Sequence, residues 1–446
     1  MVPAALPPGV DFSAVRGKRL LIALSGGSDS VALAAMLASE RKRLGLSLCA
    51  AHLDHGIRAE SAADAQWCRK LCKALDFPFY TARMDVPAES ARRGEGLETV
   101  ARRLRHGWLL GLREALGADY IALAHHMDDQ AETVLMHLAR GTGPQGIGGM
   151  SELSGALYRP LLSVRKRALA DYLARRGLDW REDATNAVAD NARNALRLHG
   201  IPALEKSYPQ IVPAIARYAQ SARIESDFVE RQARLWIDGR VEEGPYGRLL
   251  RFSEAPHPAI LRRAVRAMCP EEAGWERVNA VAALSERAHG AEEIHSGLYA
   301  ERGRLGIYFL RREAPDMREA PLALQGGTAL SGLCEIDAQA TPAVPVRDDP
   351  FCQVLDADAL EGAVLRTRRA GDRIRPLGCG ERLLSDYLTD KKLDRPLRGC
   401  TALVARGSEV LWACGLGISE RARLTASTRR AVSLKCRYTF KWNINK

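Results

Sequence analysis

The sequence predicts an α/β fold whose first part is a doubly wound parallel sheet, and two observations support this prediction. Short apolar runs alternate with amphipathic helical patterns throughout residues 19–140. A glycine-rich turn separates the first apolar run from the first helical pattern. Strands that alternate with helices of this length form βαβ units, in which helices cover both faces of a parallel sheet. We therefore expect ligands to bind beyond the carboxyl ends of the strands.

The elements of this sheet follow one another with short connections. The apolar runs predict strands over residues 20–24, 46–53, 79–84, 120–124 and 158–162. The patterns with a 3.6-residue period predict helices over residues 29–43, 59–75, 97–116, 128–140 and 165–176.

The rest of the chain has a different pattern. Residues 201–289 are mostly helical in period, and residues 315–350 are rich in Pro, Gly and Ala, which indicates an irregular linker. Short β-like runs and one helix near residues 383–391 follow. We expect a catalytic domain over residues 1–205, a mainly helical middle domain over 206–350, and a small mixed α+β domain over 351–446.

Charge is distributed unevenly along the 446 residues. The chain has 65 Lys and Arg against 54 Asp and Glu, a formal charge of +11. Residues 361–446 contain 19 Lys and Arg and 8 Asp and Glu, so the whole excess lies there. A local basic surface suggests an anionic partner such as nucleic acid or acidic lipid, and a solvated basic tail is the alternative.

Membrane and export segments are not expected. No run of 18 apolar residues occurs, and the first residues lack a basic stretch before an apolar one. The ten cysteines form no Cys-x-x-Cys pair. We therefore expect a cytoplasmic protein with reduced thiols and no membrane partner. The oligomeric state stays open, and a homodimer is among the states that the sequence allows.

The turn after the first strand predicts an anion site. It consists of Ser25, Gly26, Gly27, Ser28, Asp29 and Ser30. Adjacent glycines let the backbone approach a ligand closely, and the serine hydroxyls and helix N–H groups suit phosphate. Asp29 would repel phosphate unless it also holds Mg²⁺. A glycine turn capped by serines is the structural alternative.

Two histidine–aspartate clusters follow the second and fourth strands. The first contains His52, Asp54, His55 and Arg58. The second contains His125, His126, Asp128, Asp129 and Glu132. A dinuclear metallohydrolase is one interpretation, although Ala50 stands where its motif needs a histidine. Capping of strand and helix ends is another. The third is handling of a nucleotide and Mg²⁺ beside the glycine turn.

These motifs together resemble the tRNA(Ile)-lysidine synthetase family, within the PP-loop ATP pyrophosphatases. The resemblance comprises Ser-Gly-Gly-Ser-Asp-Ser, His-x-Asp-His-x-x-Arg and His-His-x-Asp-Asp-Gln-x-Glu-Thr. Further similar segments are Glu98–Arg105, Arg140–Met150, Arg159–Leu162, Asp183–Asn186, Arg193–Arg197 and Gly371–Pro376. The resemblance is strong over residues 19–200 and weaker over 364–435. It implies the adenine nucleotide α-hydrolase-like sheet of PP-loop enzymes.

The resemblance implies that ATP adenylates the wobble cytidine of an isoleucine tRNA, and that free L-lysine then displaces AMP. It implies catalytic roles for Asp29, Asp54, Asp128, Glu132 and Arg58, and Mg²⁺ binding by Asp29 and Asp129. It assigns ATP to the glycine turn with His52, His55 and His125. It assigns the anticodon loop and acceptor stem of the tRNA to Glu98, Arg102, Arg105, Arg140, Arg193, Asn194, Arg197, Arg369 and Arg373.

Three rival functions make different demands on the sequence. A tRNA thiolation enzyme typically carries Cys-x-x-Cys pairs, which this chain lacks. A PP-loop enzyme of small-molecule metabolism has no need of a basic C-terminal domain. A non-catalytic RNA-binding protein has no need of an intact glycine turn and both histidine–aspartate clusters.

Overall fold

A computed structural model of the chain describes residues 5–56, 61–181, 192–312, 317–344 and 349–442. The chain divides into two compact units, residues 1–227 and 228–446. No helix in these described ranges combines the length and hydropathy needed to cross a membrane.

The first unit is built on a six-stranded sheet. Its strands are β1 (Arg19–Ala23), β2 (Ser47–Asp54), β3 (Phe79–Arg83), β4 (Tyr120–Ala122), β5 (Leu153–Ser154) and β6 (Leu157–Tyr158). They lie in the order β3-β2-β1-β4-β6-β5. All neighbours are parallel except the β5–β6 hairpin. The predicted parallel sheet is confirmed.

The helices of this part of the chain are α1 (Ser28–Leu44), α2 (Ser61–Leu75), α3 (Val86–Arg93), α4 (Leu97–Ala115), α5 (Met127–Ala139), α6 (Pro144–Ile147), α7 (Lys166–Arg176), α8 (Ala192–Ala195), α9 (Ile201–Ser207) and α10 (Ile211–Ile237), the last of which extends beyond residue 227. Of these, α1, α2 and α7 pack on one face of the sheet and α4 packs on the other. Five of these were predicted to within about two residues. α3 was not predicted, because it is only eight residues long and buries only Val86 among them.

Alternation along β1 divides the core between two layers. Leu20 and Ile22 pack with side chains of α1, α2 and α7 on one face. Leu21 packs with Leu109 and other residues of α4 on the opposite face. Successive side chains of a strand point to opposite faces, so one five-residue strand supports both layers. The carboxyl ends of β1, β2 and β4 consequently lie between two helical layers.

The described residues of the second unit form three sheets. The first has the antiparallel order β7-β8-β11-β10-β9. The second has the order β12-β16-β19-β20-β17-β18, with β21 beside β20, and the third has the order β13-β14-β22-β15. The strands are β7 (Val241–Gly244), β8 (Gly247–Arg251), β9 (Gly290–His295), β10 (Leu298–Gly303), β11 (Gly306–Arg311), β12 (Ala320–Pro321), β13 (Gly326–Leu330), β14 (Cys334–Thr341), β15 (Cys352–Asp356), β16 (Val364–Arg366), β17 (Arg373–Ile374), β18 (Arg382–Leu383), β19 (Leu403–Arg406), β20 (Glu409–Ala413), β21 (Gly417–Ile418) and β22 (Ala431–Tyr438). The helices are α11 (Pro258–Met268), α12 (Trp275–Ala283), α13 (Leu384–Asp390) and α14 (Arg395–Arg398).

Two expectations for the middle of the chain are wrong. Residues 206–350 contain the predicted helices, but they also form a five-stranded sheet and are not mainly helical. The segment predicted as an irregular linker contains β13 and β14. β14 pairs along its whole length with β22, on the other side of the predicted boundary at 350/351. A strand that is hydrogen-bonded to a distant strand can be built from small residues. The Pro, Gly and Ala content of residues 315–350 therefore led to the wrong prediction of a linker.

Asp394 ties the β10–β11 hairpin to the start of α14. Its carboxylate accepts the backbone N–H groups of Arg304 at 2.8 Å and Leu305 at 3.2 Å, and the hydroxyl of Tyr308 at 2.8 Å. A Cβ at Gly303 would lie 2.5 Å from the same carboxylate, so glycine is required for this approach. The side chain is buried, so these donors have no water as a substitute.

We expect Asp394→Ala to lower the free energy of unfolding of the second unit by about 3 kcal/mol, because three donors lose their acceptor. Urea denaturation of the full chain measures this. Asp390→Ala is the control, since Asp390 is exposed and its ion pair is with the surface residue Arg382, and its effect should stay within about 0.5 kcal/mol. Equal denaturation midpoints for the two variants would contradict the assignment.

Candidate active site

The glycine turn wraps around the hydroxyl of Ser30. This buried oxygen accepts the backbone N–H groups of Ser25 and Gly26, both at 3.2 Å, and donates to the carbonyl of Gly27 at 3.0 Å. Gly26 has φ +94°, a left-handed conformation that favours glycine. The turn is therefore held in shape from within, by the first turn of the helix that follows it.

The N-terminus of α1 fits an anion. Gly27 is the N-cap residue, and no side chain caps the helix. Ser28 Oγ donates to Asp29 Oδ1 at 3.3 Å, so this hydroxyl stays near the helix start. Unpaired N–H groups and the helix dipole favour negative charge at such a terminus.

His126 connects this turn to the second histidine–aspartate cluster. It is the N-cap of α5, and its Nδ1 accepts the backbone N–H of Asp129 at 3.3 Å. The neutral ring therefore carries its proton on Nε2. Nε2 lies 3.6 Å from Asp29 Oδ2 and 3.4 Å from Asp129 Oδ2. One buried imidazole thus joins the first turns of α1 and α5.

The contact shifts both partners toward their charged forms. Burial alone would raise the pKa of Asp29, but His126 and Lys166 outweigh it and lower that pKa. Burial alone would lower the pKa of His126, but Asp29, Asp129 and Asp128 outweigh it and raise that pKa. The raised histidine stabilises the fold below about pH 6.5, and the lowered carboxylate does so above about pH 3.9. The contact therefore contributes most to the stability of the fold between about pH 3.9 and about pH 6.5.

Two arginines extend the network along α5. Glu132 is 1% exposed, and its Oε1 accepts Arg197 Nε at 2.7 Å while its Oε2 accepts Arg193 Nε at 3.1 Å. Arg197 also reaches Asp129 Oδ1 at 3.0 Å. The chain of contacts therefore runs from Asp29 through His126 and Asp129, and by way of Arg197, to Glu132.

Asp128 faces a different partner. Its Oδ1 accepts Arg165 Nε at 3.1 Å, and its Oδ2 accepts the backbone N–H of Lys166 at 2.8 Å. Lys166 is the first residue of α7. Asp128 therefore holds the start of α7 against the start of α5.

The first histidine–aspartate cluster lies at the end of β2. His52 Nδ1 contacts the carbonyl of Leu24 at 2.9 Å, directly before the glycine turn. Asp54 is buried, accepts the backbone N–H of Gly56 at 2.8 Å and lies 3.7 Å from Arg83 Nε. His52 therefore supports the strand that enters the turn, and Asp54 shapes the chain after β2.

Three side chains from two helices hold the glycine-rich loop over residues 140–150. Gln130 exchanges hydrogen bonds with both backbone groups of Met150, and His137 Nδ1 contacts the carbonyl of Gly146 at 2.7 Å. Arg223 donates to the carbonyls of Gly148 and Met150, both at 2.6 Å. The loop is thus a fixed part of the first unit.

The other predicted residues are spread over several elements. Glu98, Arg102 and Arg105 lie exposed on α4, Arg140 lies exposed at the end of α5, and Asn194 lies on α8. Arg369 and Arg373 lie exposed in the second unit and pair with Glu319 and Glu381. Arg58, Asp183 and Asn186 fall outside the described residues.

The sequence placed His126 in the second histidine–aspartate cluster, but a binding role was predicted only for its neighbour His125. Strand alternation was the available signal, because adjacent residues at a strand end face opposite sides of the sheet. His126 faces α1, where Asp29 lies. Arg165 and Arg223 were also missed, and no local pattern marks them, because their partners lie far along the chain.

The two carboxylates around His126 fit Mg²⁺. Mg²⁺ takes one or two protein carboxylates and fills its other positions with water and phosphate oxygens. Asp29 and Asp129 each place an oxygen beside the same nitrogen, so both face one point next to the uncapped end of α1. Within the described residues, no group of three or more His, Cys, Asp or Glu side chains is arranged to hold a metal by itself.

Comparison with known families agrees with this geometry. A PP-loop domain model matches residues 10–204, and a TilS substrate C-terminal domain model matches residues 363–435. A tRNA(Ile)-lysidine synthase of Symbiobacterium thermophilum is 34% identical, with 94% of each chain covered. The chain belongs to the tRNA(Ile)-lysidine synthase family.

Other members of the family differ in how much of their length is matched. The tRNA(Ile)-lysidine synthase of Geobacter sulfurreducens is 31% identical over 94% of this chain and 93% of its own length. That of Thermus thermophilus is 39% identical over 68% of this chain, but the match spans only 58% of its own length. The ends of the PP-loop match enclose the whole glycine turn and both histidine–aspartate clusters.

We expect the pKa of His126 in the metal-free protein to lie above about 6.5, and to fall when Asp29 is replaced by asparagine. Removing the carboxylate removes the charge that favours the imidazolium form. Histidine titration by NMR measures this. Asp119→Asn is the control, because Asp119 pairs with Lys18 at the surface and should leave His126 unchanged. An identical His126 titration in Asp29→Asn and wild type would show that the contact is not formed.

Proposed function

We propose that the chain ligates free L-lysine to the wobble cytidine of an isoleucine tRNA. In this reaction the carbonyl oxygen of the cytosine attacks the α-phosphate of ATP and pyrophosphate leaves; the ε-amine of lysine then displaces AMP and loses a proton to form lysidine. The observation that carries the proposal is the continuous network from Asp29 through His126 and Asp129 to Glu132, beside the uncapped N-terminus of α1. Family membership supports the same reaction.

The glycine turn suits the phosphates of ATP. Its backbone N–H groups and the dipole of α1 favour the charge that develops when the α-phosphate is attacked. Mg²⁺, held by Asp29 and Asp129, would neutralise phosphate charge there. His126 keeps these two carboxylates near each other, so that they approach the phosphates from one side.

The attacking lysine must lose a proton from its ε-ammonium group, so a carboxylate near the reacting carbon is required. Asp54, Asp128 and Glu132 are the candidates. Asp128 fits this role least, because both its oxygens already accept hydrogen bonds from the start of α7. Glu132 already forms ion pairs with Arg193 and Arg197, so the ε-ammonium group of an incoming lysine would compete with two guanidinium groups there. Asp54, the third candidate, is the last residue of β2, the strand beside β1 and its glycine turn.

The basic C-terminal part suits tRNA phosphates. Arg369 and Arg373 expose more than half of their side chains, and among the described residues each has only one surface carboxylate as partner. Surface ion pairs are weak, so phosphate can replace them. Arg366, a third arginine of this basic part, is 2% exposed and forms a two-point ion pair with Asp372. It supports the fold of this part and does not face RNA.

We expect the wild-type chain to incorporate labelled lysine into an isoleucine tRNA in the presence of ATP and Mg²⁺, with release of AMP. Asp29→Ala should reduce tRNA- and lysine-dependent AMP release by at least about 100-fold, because phosphate charge loses part of its stabilisation. A coupled AMP assay and scintillation counting measure the two products.

Asp119→Asn is the matched control and should keep wild-type activity. AMP release by Asp29→Ala at the wild-type rate would reject the role of the glycine turn. Incorporation of sulfur in place of lysine, or no adenylation of any tRNA by the wild type, would reject the proposed function itself.

We expect Arg369→Glu combined with Arg373→Glu to weaken tRNA binding and to reduce the slope of log Kd against log salt by about two, since two phosphate contacts are lost. Fluorescence anisotropy at several salt concentrations measures both values. Arg287→Gln, an exposed arginine elsewhere in the second unit, should leave the slope unchanged. A wild-type slope in the double variant would exclude these arginines from the RNA surface.

A further inference from the structure

One face of the sheet carries basic side chains that the network around His126 does not use. Ala51, Ile121 and Leu157 pack on this face with α4. Side chains alternate along strands, so His55, His125 and Arg159 continue the same face past the apolar residues. β1 lies between β2 and β4, and its next residue on this face is Ser25 of the glycine turn.

α4 adds two arginines above this edge. Its residues Trp108 and Leu109 pack on the same face of the sheet. Arg105 and Arg102 precede Leu109 by four and seven residues, so they lie on the same side of the helix. α4 begins after β3 ends and finishes before β4 begins, so its N-terminal turns lie at the carboxyl edge. The side of α4 that faces the sheet is therefore apolar over the sheet and carries arginines beyond the sheet's carboxyl edge.

These side chains have unused hydrogen-bonding capacity. In the described part of the chain, Nδ1 of His55, Nδ1 of His125 and Nε of Arg159 are buried without a partner. Nor does Arg102, Arg105 or Arg159 form an ion pair with any described carboxylate, unlike the arginines that hold Glu132. Buried polar groups without partners are costly, so a ligand that satisfies them would be stabilised here.

The two histidines are neutral at physiological pH. Burial lowers the pKa of His125 to about 4, although Asp129 opposes the shift, and Arg159, Arg105 and Arg193 lower it further. Burial, Arg105 and His52 lower the pKa of His55 in the same way. A neutral imidazole offers one nitrogen as donor and the other as acceptor, which suits the edge of a base. Guanidinium groups suit phosphate.

We propose that His55, His125, Arg102, Arg105 and Arg159, which we name the α4-side cluster, bind the unstacked target nucleotide of the RNA substrate. The arginines hold its phosphate, and the histidines hydrogen-bond its base edge beside Ser25. RNA-binding proteins commonly read such splayed-out bases by hydrogen bonds and stack them on arginine. This inference rests on the proposed function. It moves His55 and His125, which the sequence analysis assigned to ATP, to the RNA.

The first test measures phosphate binding by the α4-side cluster. Arg159→Gln in the full chain should raise the Kd for an anticodon-arm RNA with cytidine at the wobble position about tenfold, and leave the Kd for ATP unchanged. Arg102→Gln, on an exposed helix surface that tolerates substitution, should act in the same direction. Arg167→Gln is the control, because Arg167 is exposed on α7 and α7 covers the opposite face of the sheet.

The second test measures recognition of the base. An RNA that is abasic at the wobble position should bind the wild type more weakly than the intact RNA. His125→Gln should bind the intact RNA more weakly and show a smaller further loss with the abasic RNA, as expected for two groups that contact each other. Independent, additive losses would reject the contact between His125 and the base.

The outcomes separate this inference from the proposed function. If the wild type modifies the RNA and the Arg159 and Arg102 variants bind it as tightly as the wild type, only the α4-side cluster is rejected. If these variants lose ATP affinity and keep RNA affinity, the α4-side cluster binds the triphosphate of ATP and the inference is rejected. If the wild type modifies no RNA, the proposed function fails first. Retained binding of either ATP or RNA by a variant establishes that it is folded.

Discussion

The contact of His126 with Asp29 and Asp129 is the constraint on which the site depends. It joins the first turns of α1 and α5, which follow neighbouring parallel strands. Two helix N-termini at one edge bring their partial positive charges together, and the carboxylates in their first turns offset them. The imidazole between these carboxylates fixes their separation. The glycine turn, α5 and the segment with Arg197 are then positioned by one connected set of polar contacts.

The arginines of this chain have roles that depend on their partners. Arg193 and Arg197 neutralise a buried carboxylate, and Arg366 forms a buried ion pair that supports the C-terminal part. Arg102 and Arg159 face no described carboxylate. Each of these arginines adds the same amount to the net charge. However, phosphate can bind only a guanidinium group that has no carboxylate partner or has a weak one at the surface. The electrically balanced first part of the chain can therefore still contain a cationic surface beside its carboxylates.

The second unit is held together by pairings between distant segments. β14 and β22 share a complete antiparallel ladder, and Asp394 accepts hydrogen bonds from the β10–β11 hairpin. Bringing such distant segments together lowers the entropy of the chain, and the hydrogen bonds that offset this loss form only when both segments are present. The middle and C-terminal segments, predicted as separate domains, therefore share one core in which Tyr308 and Trp442 pack edge to face. The two predicted domain boundaries, at 205/206 and 350/351, stay predictions.

The sequence by itself determined the parallel sheet, the glycine turn and the edge at which the functional residues meet. These features depend on period and on local chemistry, which are readable within about 20 residues. Only the tertiary structure decided that His126 faces Asp29 while His125 faces α4, and that Arg366 points inward. It alone showed β13 and β14 as strands. In each case the deciding partner is distant in sequence, and no local pattern encodes which residues a fold will bring together.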